Sequence, residues 1–158
     1  MILISFSLFL LLCAYGIWVM DGRYEAGPIT RWVLFRGTRW RVFLHRMNGP
    51  DPDRHLHNHP WPHARSLILC GGYAELYAHK CPEGSMYVWH SEPRWRVQGD
   101  LIRLGPCLYH RIVQVLPSTW TLFIAGPRTR DWGFWEPGRG HVPYRTYLGL
   151  PADHELRD

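Results

Sequence analysis

DRHLHNHPWPHARSLILCGGYAEL (residues 53–76) places His55, His57, His59 and His63 just ahead of a short apolar run and a glycine pair. In an extended strand, residues two apart point to the same face, so His57 and His59 look the same way and His55 shares their parity. Two imidazoles on one rigid wall can grip a single metal ion more cheaply than ligands gathered from loops. A further ligand should come from another strand facing the same interior.

The rest of the chain supplies such strands. RWRVFLHR (39–46), SLILC (66–70), YAELYA (73–78), MYVWH (86–90), LIRL (101–104), YHRIVQVL (109–116) and WTLFIAG (120–126) are rich in β-branched, aromatic and leucine residues and are parted by Gly and Pro clusters. Nothing after residue 24 sustains a helical period over three turns, so a sandwich or small barrel is predicted. NGPDPD (48–53), KCPEGS (80–85) and RGHVP (139–143) are predicted as loops. The third ligand is His110, within GDLIRLGPCLYHRIVQV (99–115).

These residues resemble the two motifs of the cupin superfamily. The first runs Gly, five residues, H-x-H, three or four residues, Glu, six residues, Gly. His57 and His59 match it, while Asp51 stands at the opening glycine, His63 at the glutamate, and Gly71 meets the closing glycine one residue late. The second runs Gly, five residues, P-x-G-x-x-H, three residues, Asn. Gly99 and His110 match it, while Gly105 stands at the proline, Cys107 at the glycine and Gln114 at the asparagine. The match covers roughly residues 39 to 126, and DWGFWEPGRGHVPYRTYL (131–148) is similar to the C-terminal segment of small cupin-like proteins of bacteria and phages.

The resemblance implies an all-β fold, a cupin-type double-stranded β-helix or jelly-roll barrel over 31–150, with Trp132 to Trp135 closing it. It also implies one divalent metal ion on His57, His59 and His110, with His63 or Glu75 as candidate fourth ligand and His55 outside the matched motif. Such a three-histidine site is similar to that of thiol dioxygenases of the same superfamily. Fe(II) is therefore the favoured ion, although zinc, manganese and nickel also accept imidazole. Gln114, which shares the parity of His110, Tyr109 and Arg128 are the candidates for orienting ligands or substrate. A small-molecule substrate follows. The leading reading is an Fe(II)-dependent dioxygenase or hydroxylase. A metal-dependent sugar-type isomerase or epimerase, with Glu75 or Tyr109 as base, and a binding barrel without turnover are the alternatives.

Composition sets bounds on the rest. A chain of 158 residues, 46% hydrophobic and 20% charged, has room for one domain. The net charge of +5 is almost wholly arginine, since Lys80 is the only lysine, and no basic run with interleaved aromatics points to nucleic acid. Cys13, Cys70, Cys81 and Cys107 form no C-x-x-C pair, which suits free thiols in a reducing compartment. MILISFSLFLLLCAYGIWVM (1–20) carries no charged side chain and has the length of a bilayer span. With Arg23, Arg31, Arg36, Arg39 and Arg41 behind it, residues 1–24 are expected to form a hydrophobic helix that is a candidate membrane anchor for a cytoplasmic domain. A signal peptide, and a start at Met20 with the preceding stretch untranslated or packed on the domain, are the alternatives. Residues 151–158 form a polar tail, and a homodimer is open to the chain.

Overall fold

The computed structural model describes residues 23–80, 86–87 and 92–151. The predicted N-terminal hydrophobic helix, most of the tail, Cys13, Cys81 and His90 lie outside the described residues. Among the described residues no helix is long and apolar enough to cross a membrane, and Cys70 and Cys107 are free thiols.

Among the described residues, thirteen strands form two antiparallel sheets. In chain order they are β1 (Arg23–Ala26), β2 (Ile29–Arg36), β3 (Arg41–Met47), β4 (Leu56–His57), β5 (Ala64–Cys70), β6 (Gly72–Lys80) and β7 (Met86–Tyr87). Then follow β8 (Arg94–Val97), β9 (Leu101–Leu104), β10 (Leu108–Val115), β11 (Thr119–Ala125), β12 (Gly133–Glu136) and β13 (Gly140–Pro143), with a short helix α1 (Tyr144–Leu148) at the end. One sheet has the order β1-β2-β3-β11-β5-β9; the other runs β13-β12-β4-β10-β6-β7, with β8 also paired to β6.

The middle of each sheet explains the architecture. Strands β3, β11, β5 and β9 face β4, β10, β6 and β8, and the chain passes between the two sets so that sequence neighbours rarely pair. That interleaving is the jelly roll. It requires each strand to present one apolar face inward, and the alternation is plain in β11, where Thr119, Thr121, Phe123 and Ala125 are buried while Ile124 is exposed. Phe43, Ile68, Phe123, Ile112, Leu104 and Val33 form the heart of the core between the sheets.

Several sequence expectations need correction. The HVP of the stretch predicted as a loop at 139–143 lies in strand β13, because it pairs in register with β12 from Gly133↔Pro143 to Glu136↔Gly140. Strands β2, β8 and β12 were not among the runs picked out by composition. The H-x-H pair is strand only in its first half: β4 ends at His57, so its pairing alone does not place His59.

Two glycines hold this arrangement together. Gly71 turns the chain between β5 and β6 with φ of 70°, and a Cβ there would strike Thr119. Thr119 in turn accepts from the Gly72 amide through Oγ1 at 2.9 Å. At Gly133 a Cβ would run into the Val142 carbonyl of the neighbouring strand. Gly133 also donates its amide to Asn58 Oδ1 at 2.8 Å and accepts from the Asn58 amide at 3.0 Å, which ties β12 to the H-x-H segment. Gly133→Ala is expected to cost about 1–3 kcal/mol through overpacking, read as a lower denaturant midpoint with an unchanged slope.

Candidate metal centre

Strand β4 is wedged between β12 and β10, with His57 paired to Phe134 on one side and to His110 on the other. That wedge brings the two motifs together. One nitrogen from each of His57, His59 and His110 lies within 4.8 Å of the others, His57 and His59 half-buried and His110 buried. The Nε2 atoms of His59 and His110 are 2.8 Å apart; two imidazole nitrogens each about 2.1 Å from one ion at a right angle would be about 3 Å apart. The Nδ1 atom of His57 is buried without a hydrogen-bond partner, an arrangement that costs free energy unless something else is bound there. The donor set thus fits a metal ion.

His59, lying beyond the strand, is held by an arginine. Arg130 donates to the His59 carbonyl through Nε at 3.0 Å and Nη2 at 2.8 Å, and through Nη1 to the Pro106 carbonyl at 2.7 Å. It therefore staples the H-x-H segment to the chain just ahead of β10. His110 is oriented from the other side. Its Nδ1 is 2.9 Å from Glu75 Oε2, and the other carboxylate oxygen of Glu75 accepts from Arg96 Nε at 2.6 Å. A carboxylate on Nδ1 fixes the tautomer and turns Nε2 toward the ion.

Electrostatics follows from these contacts. Burial, reinforced by His110, lowers His57 to about 3. Burial, then His110 and His57, keeps His59 well below its ordinary value. Both are neutral imidazoles near neutral pH, the form that ligates metal. Burial alone would lower His110 as well, but the hydrogen bond and charge of Glu75 outweigh it and raise it. Burial would likewise raise Glu75; His110 and Arg96 overcome that and lower it.

The three histidines stand in the wall of a cavity of about 300 Å³ between the sheets. Trp61, Phe123, Tyr73, Met47, Ile112 and Trp132 give it a mostly apolar lining. Polar atoms enter from Arg31, Arg128, His45 and Asp51. Arg31 donates from Nε to His45 Nε2 at 3.0 Å, and its guanidinium lies 5.0 Å from the centre of the Phe43 ring. Asp51, at the opening glycine's position of the first motif, accepts from the Ile112 amide at 2.7 Å and is raised by burial.

The other sequence candidates fall elsewhere. His63 is exposed and borders a groove on the outside of the barrel, because it immediately precedes buried Ala64 and so points away from the interior. Glu75 does face inward, but its two oxygens are engaged by His110 and Arg96, so it orients a ligand instead of being one. Gln114 is exposed: the register slips between Ile112 and Gln114, and this bulge reverses the parity that it should share with His110. Tyr109, next to His110 on the strand, points to the opposite face, where its hydroxyl lies 2.8 Å from His141 Nδ1. His55 is bound by Tyr147, with Nδ1 3.1 Å from its hydroxyl. Arg128 lines the cavity. Sequence reading missed Arg96 and the anchoring role of Arg130; RWRV at 94–97 was the visible signal for the first, an alternating run with a basic residue on its inward parity.

Glu75→Gln should keep the hydrogen bond while removing the charge, and metal affinity measured by competition with a chelator is expected to fall about 10–100-fold. Glu75→Ala should in addition destabilise the fold by about 3 kcal/mol, because it leaves Arg96 unpaired. A second expectation concerns His45, which burial and then Arg31 hold well below its ordinary value. His45 is neutral in the fold and takes up a proton below about 6.5 in the unfolded chain, so its contribution to stability is present above that pH and is lost as pH falls. His45→Gln should flatten the decline in denaturation midpoint between pH 7 and pH 5.

No protein-family model and no curated protein sequence matches the chain. Solved structures with a similar arrangement include KdgF from a Halomonas species, at 16% identity and a TM-score of 0.46, covering 73% of this chain and 95% of that one. An RmlC-like cupin family protein with a double-stranded β-helix fold from Methanocaldococcus jannaschii is 12% identical, with a TM-score of 0.45, over 70% of this chain and 90% of that one. The polyketide cyclase RemF from Streptomyces resistomycificus is 15% identical, with a TM-score of 0.48, over 87% and 90%. By its own strand order this chain is a jelly roll of two antiparallel sheets, and its two spaced motifs meet on one inner wall, as the resemblance to cupins implies.

Proposed function

We infer that the protein is a mononuclear metal enzyme acting on a small, largely apolar molecule, and that its ion is Fe(II) serving an oxygen-using reaction of the dioxygenase or hydroxylase kind. The observation that carries this reading is the convergence of three imidazoles, with no carboxylate among them, on the wall of an aromatic cavity. When bound, an ion held by three neutral donors supplies Lewis acidity and open coordination positions for a chelating substrate and for dioxygen.

The chain's own residues do the remaining work. Glu75 keeps the proton of His110 on Nδ1, so that Nε2 is the donor facing the ion. Arg130 fixes the backbone at His59. Phe134 and Trp132 pack against the His57 ring, with centroids 5.9 Å and 6.0 Å away, and Trp61 stacks on His59 at 5.8 Å. These rings shield the ligands from bulk water. The cavity's apolar lining selects for an apolar body, and Arg128 offers a cation at the wall for an anionic substituent.

An isomerase would need a general base beside the ion. The two residues considered for that part are committed elsewhere, Glu75 to His110 and Arg96 and Tyr109 to the opposite face. That favours the oxygen-using reading over the isomerase.

Elemental analysis of purified protein should give one divalent ion per chain, lost when His57, His59 and His110 are replaced together by alanine and kept in His55→Ala and His63→Ala. Reconstituted with Fe(II) without air, the protein should bind nitric oxide with a new electron paramagnetic resonance signal, and it should consume oxygen when a suitable thiol or carboxylate is supplied. Copurification with zinc, no nitric oxide signal and no oxygen uptake across such a screen would overturn the iron assignment and favour the isomerase or binding-barrel readings.

A further inference from the structure

The outer face of the six-stranded sheet carries an apolar row that the core does not use. Trp32, Leu44, Leu122, Leu67 and Leu101 are successive cross-strand partners on β2, β3, β11, β5 and β9. Strands lie about 4.8 Å apart, so the row runs about 19 Å straight across the sheet. Alternation puts all five outward, opposite the buried face of Phe43, Phe123, Ser66 and Ile102. Leu101 is 55% exposed, and Ile124 and Leu69 beside the row are also exposed. At one end the row adjoins a groove of about 630 Å³ bordered by Trp40, which is 50% exposed, and by His63, Arg65 and Arg103.

The surroundings of the row narrow down what covers it. Arg46, Arg65 and Arg103 are exposed and point outward from β3, β5 and β9, and those strands and β11 turn no carboxylate outward. Two copies laid face to face would bring these arginines together, which opposes a symmetric dimer through this face. The opposite end of the row is Trp32, and its partner on β1 is Arg23. Only Asp21 and Gly22 separate Arg23 from the uncharged residues 1–20. Three residue steps of extended chain span at most about 11 Å, so whatever receives those twenty uncharged residues lies close to the end of the row. A predominantly apolar stretch of twenty residues with no charged side chain has its natural solvent in hydrocarbon. A basic, tryptophan-bearing apolar surface next to it matches the interface of an anionic membrane.

We propose that the outer face of the six-stranded sheet docks on an anionic lipid bilayer that residues 1–20 enter. The row from Trp32 to Leu101 and the ring of Trp40 meet the acyl boundary, while Arg46, Arg65 and Arg103 meet lipid phosphates. The orientation is independent of the metal centre, whose ligands lie between the sheets.

The test uses the full chain in vesicles of phosphatidylcholine with phosphatidylglycerol. A dansyl-bearing amino acid replaces Leu101 or, as a control on the outer face of the other sheet, the exposed Gln114. Circular dichroism checks that the fold is kept. Nitroxide-labelled lipid should quench the probe at 101 severalfold more than the probe at 114. Arg65→Glu together with Arg103→Glu, or phosphatidylcholine alone, should at least halve that difference. Equal quenching at the two positions would overturn the proposal. So would a chain that stays monomeric in buffer without sedimenting with vesicles and has the probe at 101 sheltered, since its own apolar segment would then cover the row. A dimer in which the probe at 101 is sheltered without lipid would assign the face to a second copy and overturn it equally.

Discussion

Glu75 is a fully buried carboxylate, and everything around the site follows from the need to pair it. An unpartnered charge in that position would be prohibitive, so β8 must deliver Arg96 to one oxygen and β10 must deliver His110 to the other. Meeting those two demands locks three strands of one sheet at a common level, with β6 in the middle. The imidazole of His110 is then fixed in plane and tautomer before any ion arrives, and β4 needs only to pair at His57 for the cluster to close. The carboxylate contributes geometry, while the aromatic core contributes most of the cohesion.

Parity was a good guide where strands are regular and failed where they are not. His57 and His110 were legible because each sits on a paired strand, and their positions in the two spaced motifs anticipated that they would meet. Gln114 was misjudged because one extra residue in β10 reverses every side chain beyond it, and no composition signal marks that bulge. Tyr109 follows the simple rule of alternation: next to an inward histidine, it must face out. His63 had only its motif position to recommend it, and the buried Ala64 beside it overrules that.

The supporting residues were harder to see, for a different reason. Arg130 and Asp51 act on backbone atoms, a carbonyl at His59 and an amide at Ile112. Contacts of that kind depend on where two distant stretches of chain pass one another, and no side-chain spacing encodes them. The C-terminal strands were obscured by glycine and proline, which punctuate β12 and β13 as heavily as they do the loops. Their pairing is carried by a close backbone approach at Gly133, where the residue's lack of a side chain is what admits the neighbouring strand.

The position of β4 also sets the order in which the protein can be assembled during synthesis. His57 is bracketed by His110 and Phe134, so a ribosome that has released only the first hundred residues has produced two of the three ligands and neither of the strands that hold them. Such long-range pairings form late and slowly. The growing chain therefore exposes a free H-x-H pair, able to collect whichever divalent ion binds imidazole most avidly, until the last hairpin closes. Loading with a weaker-binding ion, such as the Fe(II) we propose, would then favour insertion after release from the ribosome, when geometry as well as affinity can discriminate.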